Sequence, residues 1–252
     1  MNHHVRFYLL LLALAMAPFA QAGDIELRQA DGKLLQLERA ADRIVTLSPH
    51  LTELVYAAGA GDALLATVEY SEFPAQAISV PRVGDAFRLD IERIMALRPN
   101  LVIAWDSGNP KAAVQQLRRL GLDVWSVEIR EPGEIAEVLE DIGRAAGTSI
   151  RADQAAGELR ERLRRLRERY RGVITLDYFY QVDSHPLYTI NGRHLISQGL
   201  ELCGGRNIFD GQPGLAFQVG HESIITADPD ALFAPHLEDA ADPLSDWREW
   251  PE

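Results

Sequence analysis

Histidines, cysteines and paired carboxylates are the residue types from which hydrolytic and metal chemistry is built, and their spacing here supports neither. After residue 22 histidine occurs at positions 50, 185, 194, 221 and 236, with no pair at ligand spacing. His221-Glu222 opens like the helix of a zinc protease, but Ile225 stands where the second histidine must sit. There is no G-x-S-x-G nucleophile turn, no G-x-x-x-x-G-K phosphate loop, no G-x-G-x-x-G and no C-x-x-C. No catalytic residue and no resident metal or cofactor is expected. A metalloenzyme assembled by convergence of the scattered histidines is the alternative of another class.

What recurs is aromatic residues beside the ends of strand-like runs: Tyr70, Phe87, Trp105, Tyr188 and Phe217. In open α/β sheets ligands bind outside the carboxyl ends of the strands. Rings at such positions, spread over both halves of a chain, describe a wide apolar clamp, although core packing accounts equally for any one of them taken alone.

The elements that must position these rings follow from hydrophobic periodicity. Residues 25–30 and 34–37 are strand-like runs joined across Asp31-Gly32, which predicts a small N-terminal β-hairpin over 24–41. From Arg43 onward short β-branched runs at 44–47, 64–68, 101–105 and 124–129 alternate with helical periods at 51–58, 91–97, 111–120 and 134–146. That alternation predicts an α/β lobe over 43–147 with a largely parallel sheet. Within 148–171, Ala152, Ala155, Ala156, Leu159, Leu163, Leu166 and Tyr170 make one apolar stripe on a helix of roughly 20 residues, about 30 Å long. Its charged opposite side suits a strut between lobes. Strands resume at 173–179 in a second lobe over 172–252.

An internal repeat relates the two lobes. Leu89-Asp90-Ile91-Glu92-Arg93-Ile94 and Pro99-Asn100-Leu101-Val102-Ile103-Ala104 correspond, at a constant offset of 130, to Val219-Gly220-His221-Glu222-Ser223-Ile224 and Pro229-Asp230-Ala231-Leu232-Phe233-Ala234. Glu92 and Glu222 are then equivalent carboxylates, each opening a helix. On the same offset the counterpart of Gly147 falls past Glu252, so the second lobe is expected to be incomplete in this sequence. A partner for Cys203, the single cysteine, is expected in the missing part.

Composition bounds the partners. At net charge −12 the chain disfavours nucleic acid, which demands clustered cations. Its one basic run, Arg160 to Arg171, is interleaved with Glu161 and Glu168 and reads as a solvated helix face. A basic start, an apolar run over 7–18 and Ala20-Gln21-Ala22 predict a signal peptide over 1–22, cleaved after Ala22, and an exported soluble protein.

Arg43-Ile44-Val45-Thr46-Leu47-Ser48-Pro49 with Thr52-Glu53-Leu54 and Ala57-Ala58-Gly59 resembles the first strand and helix of the helical-backbone periplasmic receptors for cobalamin, ferric siderophores and haem. Glu92-Arg93-Ile94, the run Leu97 to Trp105 and Cys203-Gly204-Gly205-Arg206-Asn207-Ile208-Phe209 extend the likeness over about residues 43–235. Tyr70-Ser71-x-Phe73-Pro74, Ile103-Ala104-Trp105-x-x-Gly108-Asn109 and Glu201-Leu202-Cys203-Gly204-Gly205 are most similar to the cobalamin-binding members. The resemblance implies two Rossmann-like lobes on one long backbone helix, a monomeric, non-enzymatic periplasmic receptor, and a transported corrinoid between the lobes. Pro49, His50, Tyr70, Phe87, Trp105, Tyr188 and Phe217 would line the cleft, and Glu92 and Glu222 would dock on arginines of an ABC permease dimer. Where those members carry tryptophan before each repeat helix this chain has Ala86 and Ala216, each followed by phenylalanine, which implies either rings displaced by one residue or a pocket reshaped for another ligand. Haem or a ferric siderophore in the same cleft is the alternative within the family, with His50 available to a haem iron.

Overall fold

The computed structural model describes residues 25–173, 175–236 and 242–249; the expected signal peptide lies outside them. Strands β1 (Ile25–Arg28) and β2 (Leu34–Leu37) pair antiparallel, with Ile25 opposite Leu37 and Leu27 opposite Leu35. The connecting turn is closed by Asp31, whose carboxylate accepts from the Lys33 backbone N–H at 3.0 Å. Gly32 supplies the positive φ of 83° that a side chain would resist. Leu27 and Leu37 enter the core of the first lobe, and the Trp125 indole N–H donates to the Arg28 carbonyl at 2.8 Å, so the hairpin is pinned to that lobe.

The first lobe is a parallel sheet in the order β4-β3-β5-β6, formed by β3 (Ile44–Thr46), β4 (Leu64–Ala66), β5 (Leu101–Trp105) and β6 (Val124–Val127). Because the side-chain period of a strand is 2, Ile44, Leu101, Ile103 and Trp125 pack on one face while Val45, Val102, Ala104 and Val124 pack on the other. Helices α1 (Pro49–Ala57) and α4 (Glu134–Ala146) bury Leu51, Val55, Leu139 and Ile142 in the first cluster, and α2 (Ile91–Leu97) and α3 (Lys111–Arg119) bury Ile94, Val114 and Leu117 in the second. Both faces being covered is why these strands read as apolar runs rather than alternating ones.

The long helix α5 spans Ser149–Arg169, 21 residues. It lies close against α4 because Gly143 faces it: a Cβ there would meet Ala152 Cβ at 2.3 Å. Ala152, Ala156 and Leu163 are its buried stripe, and its open side carries Arg164 paired with Glu161 and Glu168, each at 2.6 Å, and Arg160 paired with Glu140.

In the second lobe, β7 (Leu176–Ser184) is central. Its first half pairs parallel with β9 (Gly205–Asn207) and β11 (Ala231–Phe233), and its second half pairs antiparallel with β8 (Leu187–Ile190), which pairs in turn with β10 (Ala216–Gln218). This sheet is mixed, whereas the first is parallel throughout. Helices α6 (Leu195–Glu201) and α7 (His221–Ala227) and a 3-10 turn at Ser245–Glu249 complete the described part. The architecture is that of two α/β lobes joined by one long helix. No helix among the described residues is long and apolar enough to cross a membrane. Cys203 is exposed and unpaired among them.

Candidate ligand cleft and its two walls

On the first lobe the carboxyl ends of the parallel strands place the aromatic and histidine side chains. β3 runs through Ser48 into α1, whose first residues are Pro49 and His50, and β5 ends on Trp105. The two rings meet edge to face with centroids 5.3 Å apart. Trp105 lies against Gly108, where a Cβ would come within 1.9 Å of the indole, so only glycine admits this ring position. Buried Asn109 then ties three chain segments together. It accepts from the Trp105 backbone N–H at 2.7 Å and donates to the carbonyls of Leu47 at 2.8 Å and Ala86 at 2.9 Å. Sequence reasoning reaches Gly108 and Asn109 only through the family resemblance. The signal that could have singled them out is their place three and four residues after a strand-terminal tryptophan, where a turn must close.

Burial lowers His50 to a pKa of about 4, so its imidazole is neutral at pH 7. Ser48 Oγ lies 3.2 Å from its Nδ1. Behind it, Thr46, Thr52, Thr67 and Ser71 form a buried hydroxyl cluster, with Thr46–Thr52 at 2.7 Å and Thr67–Ser71 at 2.8 Å, which satisfies polar groups that the apolar pattern would have excluded from a core. Tyr70, just before that cluster's last member, has a φ of 65° and is 80% exposed. Phe87 is 69% exposed, in a loop that Asp85 caps by accepting from the Phe87 and Arg88 N–H groups at 2.7 Å. Five of the expected cleft residues, Pro49, His50, Tyr70, Phe87 and Trp105, are thus brought to one end of one sheet or its adjoining loops.

The second lobe treats its two expected rings differently. Tyr188 pairs with Gln218 across β8–β10, and Phe217 pairs with Thr189, the next residue along. Successive positions point to opposite faces, so Tyr188 and Phe217 cannot both face one cleft. Tyr188 is 37% exposed, whereas Phe217 packs edge-on against Phe209 at 5.7 Å, in a series of rings that continues through Phe179 to Trp247. The Trp247 indole N–H also donates to Gln181 Oε1 at 2.6 Å. The arrangement makes Phe217 a packing residue of its lobe and leaves Ala216 and Tyr188 on the other face.

Glu92 and Glu222 are exposed residues in the first turns of α2 and α7. The two helices end alike, on Arg98 and Asp228 in the left-handed region at φ 49° and 47°, and each buries its repeat isoleucine, Ile94 or Ile224. They start differently: Asp90 caps α2 by accepting from the Arg93 N–H at 2.9 Å, while α7 has no side-chain cap. No group of three or more His, Cys, Asp or Glu side chains suited to a metal ion occurs among the described residues.

Residues 44–242 match the periplasmic binding protein family. The chain belongs to that family. Among similar members, a protein of Vibrio cholerae serotype O1 named vitamin B12-binding protein is 37% identical over 210 residues, 83% of this chain and 75% of its own length. One of the same name from Photorhabdus laumondii is 36% identical over 190 residues, 75% of this chain and 69% of its own. The crystal structure of the periplasmic vitamin B12 binding protein of Vibrio cholerae superimposes with a TM-score of 0.75 at 35% identity, covering 83% of this chain and 82% of that one. A periplasmic heme binding protein of Pseudomonas aeruginosa superimposes at 0.72 but is 22% identical, over 81% and 75% of the two chains, a likeness of fold alone.

Proposed function

We propose that this periplasmic binding protein captures cobalamin or a related corrinoid between its lobes and delivers it to an ABC permease dimer, without catalysing a reaction. The observation that carries the reading is the first-lobe wall: Trp105, held by Gly108 and Asn109 against His50, beside the exposed rings of Tyr70 and Phe87. A preorganised apolar wall binds a large, rigid, largely flat ligand without first having to order itself. The vitamin B12-binding names of relatives at 36–37% identity support the same ligand. Tyr188 on the second lobe would oppose this wall. Secretion by the 1–22 segment would place the protein in the periplasm as a monomer, with Glu92 and Glu222, one equivalent carboxylate per lobe, as the contacts to two permease arginines.

A second ligand is favoured by one observation. The neutral imidazole of His50 has a lone pair at pH 7, as an axial ligand of haem iron requires. Thermal unfolding of the mature protein with cyanocobalamin, cobinamide, hemin or a ferric siderophore separates the readings, because a ligand bound only by the native state raises the midpoint in proportion to the logarithm of its concentration over Kd. A saturable rise with cyanocobalamin is expected. A rise with hemin alone, with an iron spectrum that changes in His50→Ala, would replace the corrinoid by haem.

A further inference from the structure

The two lobes are connected covalently by α5, but they are also bridged by one side chain that neither the cleft nor the docking positions use. Gln198, in α6 of the second lobe, donates from Nε2 to the carbonyl of Arg130 in the β6–α4 loop of the first lobe. Its second Nε2 proton is directed to the carbonyl of Arg193 in its own lobe, at 3.0 Å. An amide nitrogen carries two protons, so both donors are committed, one to each lobe.

Each end of this bridge is held from behind. The Arg130 and Glu131 N–H groups donate to Glu134 Oε2 at 2.6 and 3.3 Å, which fixes the loop to the first turn of α4. On the other side, His194 opens α6 by accepting from the Ile196 N–H at 3.2 Å, and the Arg193 N–H donates to Asn191 Oδ1 at 3.0 Å. Asn191 is buried and donates to the Gln212 carbonyl at 2.9 Å. The bridge therefore joins two anchored points rather than two loose loops. Beside it runs an open groove of about 380 Å3 walled by Pro132 of the first lobe, Tyr170 and Arg171 beyond the end of α5, and Leu202 of the second. The lobes are thus not packed solidly here, and the contact between them is polar.

We infer that Gln198 is a positioning residue for ligand binding, a brace that sets the spacing of the two cleft walls. The inference rests on the proposed receptor function for its ligand half only. A single helix joining two lobes resists translation but permits bending about its end; a hydrogen bond placed off the helix axis restricts that bend. The brace narrows the range of wall separations in the ligand-free protein and retards the opening through which a bound ligand leaves.

The test uses the mature protein carrying Gln115→Cys and Gly211→Cys for spin labels, one exposed site per lobe, with Cys203→Ser so that only those two are labelled. Gln198→Leu keeps the volume and removes the donors; Gln198→Glu keeps the length and removes them too, and serves if the leucine variant unfolds. The expected result is a broader interlobe distance distribution in both variants, with cyanocobalamin dissociating roughly two- to tenfold faster, the range one exposed hydrogen bond supports, and association nearly unchanged. A distribution as narrow as that of the unsubstituted protein overturns the brace. A broader distribution with an unchanged dissociation rate overturns its coupling to the ligand. Failure of the unsubstituted protein to bind cyanocobalamin would sink the corrinoid reading instead, while the distance distributions still decide the role of Gln198.

Discussion

The repeat units α2–β5 and α7–β11 have the same local pattern and different surroundings. β5 runs between β3 and β6, and Leu101, Val102, Ile103 and Ala104 are all buried. β11 pairs only with β7 among the described residues, and its Ala231, Leu232 and Phe233 remain partly or largely exposed. Leu176, Val182, Leu215 and Ile225 add further exposed apolar surface to the second lobe, whose buried apolar cluster is Phe179, Leu187 and Ile224. Local sequence is enough to set the helix bounds, buried face and left-handed termination alike in both copies, though not the cap at the start. Burial of the following strand is a property of its neighbours, which local sequence does not contain.

The largest expected effect tests that difference directly. Ile94 and Ile224 occupy equivalent, almost fully buried positions, but only Ile94 lies in an extensive core. Ile94→Ala should cost the upper part of about 2–5 kcal/mol, and Ile224→Ala the lower end or less, because partly exposed surroundings collapse more readily around a deleted group. Denaturant unfolding read by hydrogen exchange in each lobe measures both; equal costs would erase the distinction between the lobes.

A second expectation concerns acid sensitivity, to which His50 of the first lobe and His194 of the second both contribute because burial lowers the pKa of each imidazole. His50 titrates at about 4 in the folded protein against 6.5 in an ordinary setting, so the unfolded chain takes up its proton first as the pH falls. The resulting stability is fully present above pH 6.5 and is lost between about 6.5 and 4, by up to roughly 3 kcal/mol. His50→Gln should flatten that part of the stability profile, and an unchanged slope would show that another group sets it.

The walls themselves give a smaller effect. Trp105→Ala and Tyr188→Ala should each weaken cyanocobalamin binding by about 1–3 kcal/mol in calorimetry, as loss of an aromatic contact does. Phe217→Ala should instead lower stability with little change in affinity, since its ring meets Phe209. Affinity lost at Phe217 and kept at Tyr188 would reverse the assignment of the two strand faces.

The smallest effect, on rates alone, concerns the feature the lobes share. Glu92→Arg and Glu222→Arg should each slow association with the permease, and the double change should slow it further and abolish its salt dependence, with ligand affinity unchanged. A large loss from one site alone would show that the lobes dock unequally.

Much was legible in the sequence because it is written locally. The expected bounds of α2 and α4 coincide with the observed ones, and those of α1, α3 and α5 differ by one or two residues, since a stripe at helical spacing and a closing glycine or left-handed residue suffice to define them. The four strands of the first lobe were legible for the same reason: covered on both faces, they are runs of apolar residues. In the second lobe the strand expected over 173–179 is observed at Leu176–Ser184, because its polar second half, Gln181, Asp183 and Ser184, is a strand only through its ladder with β8. Neither Gly205-Arg206-Asn207 nor Ala216-Phe217-Gln218 carries a pattern of its own; each is a strand because β7 or β8 offers it hydrogen bonds.

The candidate site divides along the same line. By itself the sequence determined which aromatic and acidic residues follow strands or open helices, and that two of the acids are equivalent, because those are statements about neighbours in the chain. Tertiary structure alone decided that Trp105 is braced by Gly108 and Asn109, that Phe217 and Tyr188 turn to opposite faces, and that Gln198 reaches the Arg130 carbonyl 68 residues away in the chain. Each of these depends on a strand register, a close approach of backbones or a hydrogen bond across lobes, and such contacts exist only once the distant segments have packed.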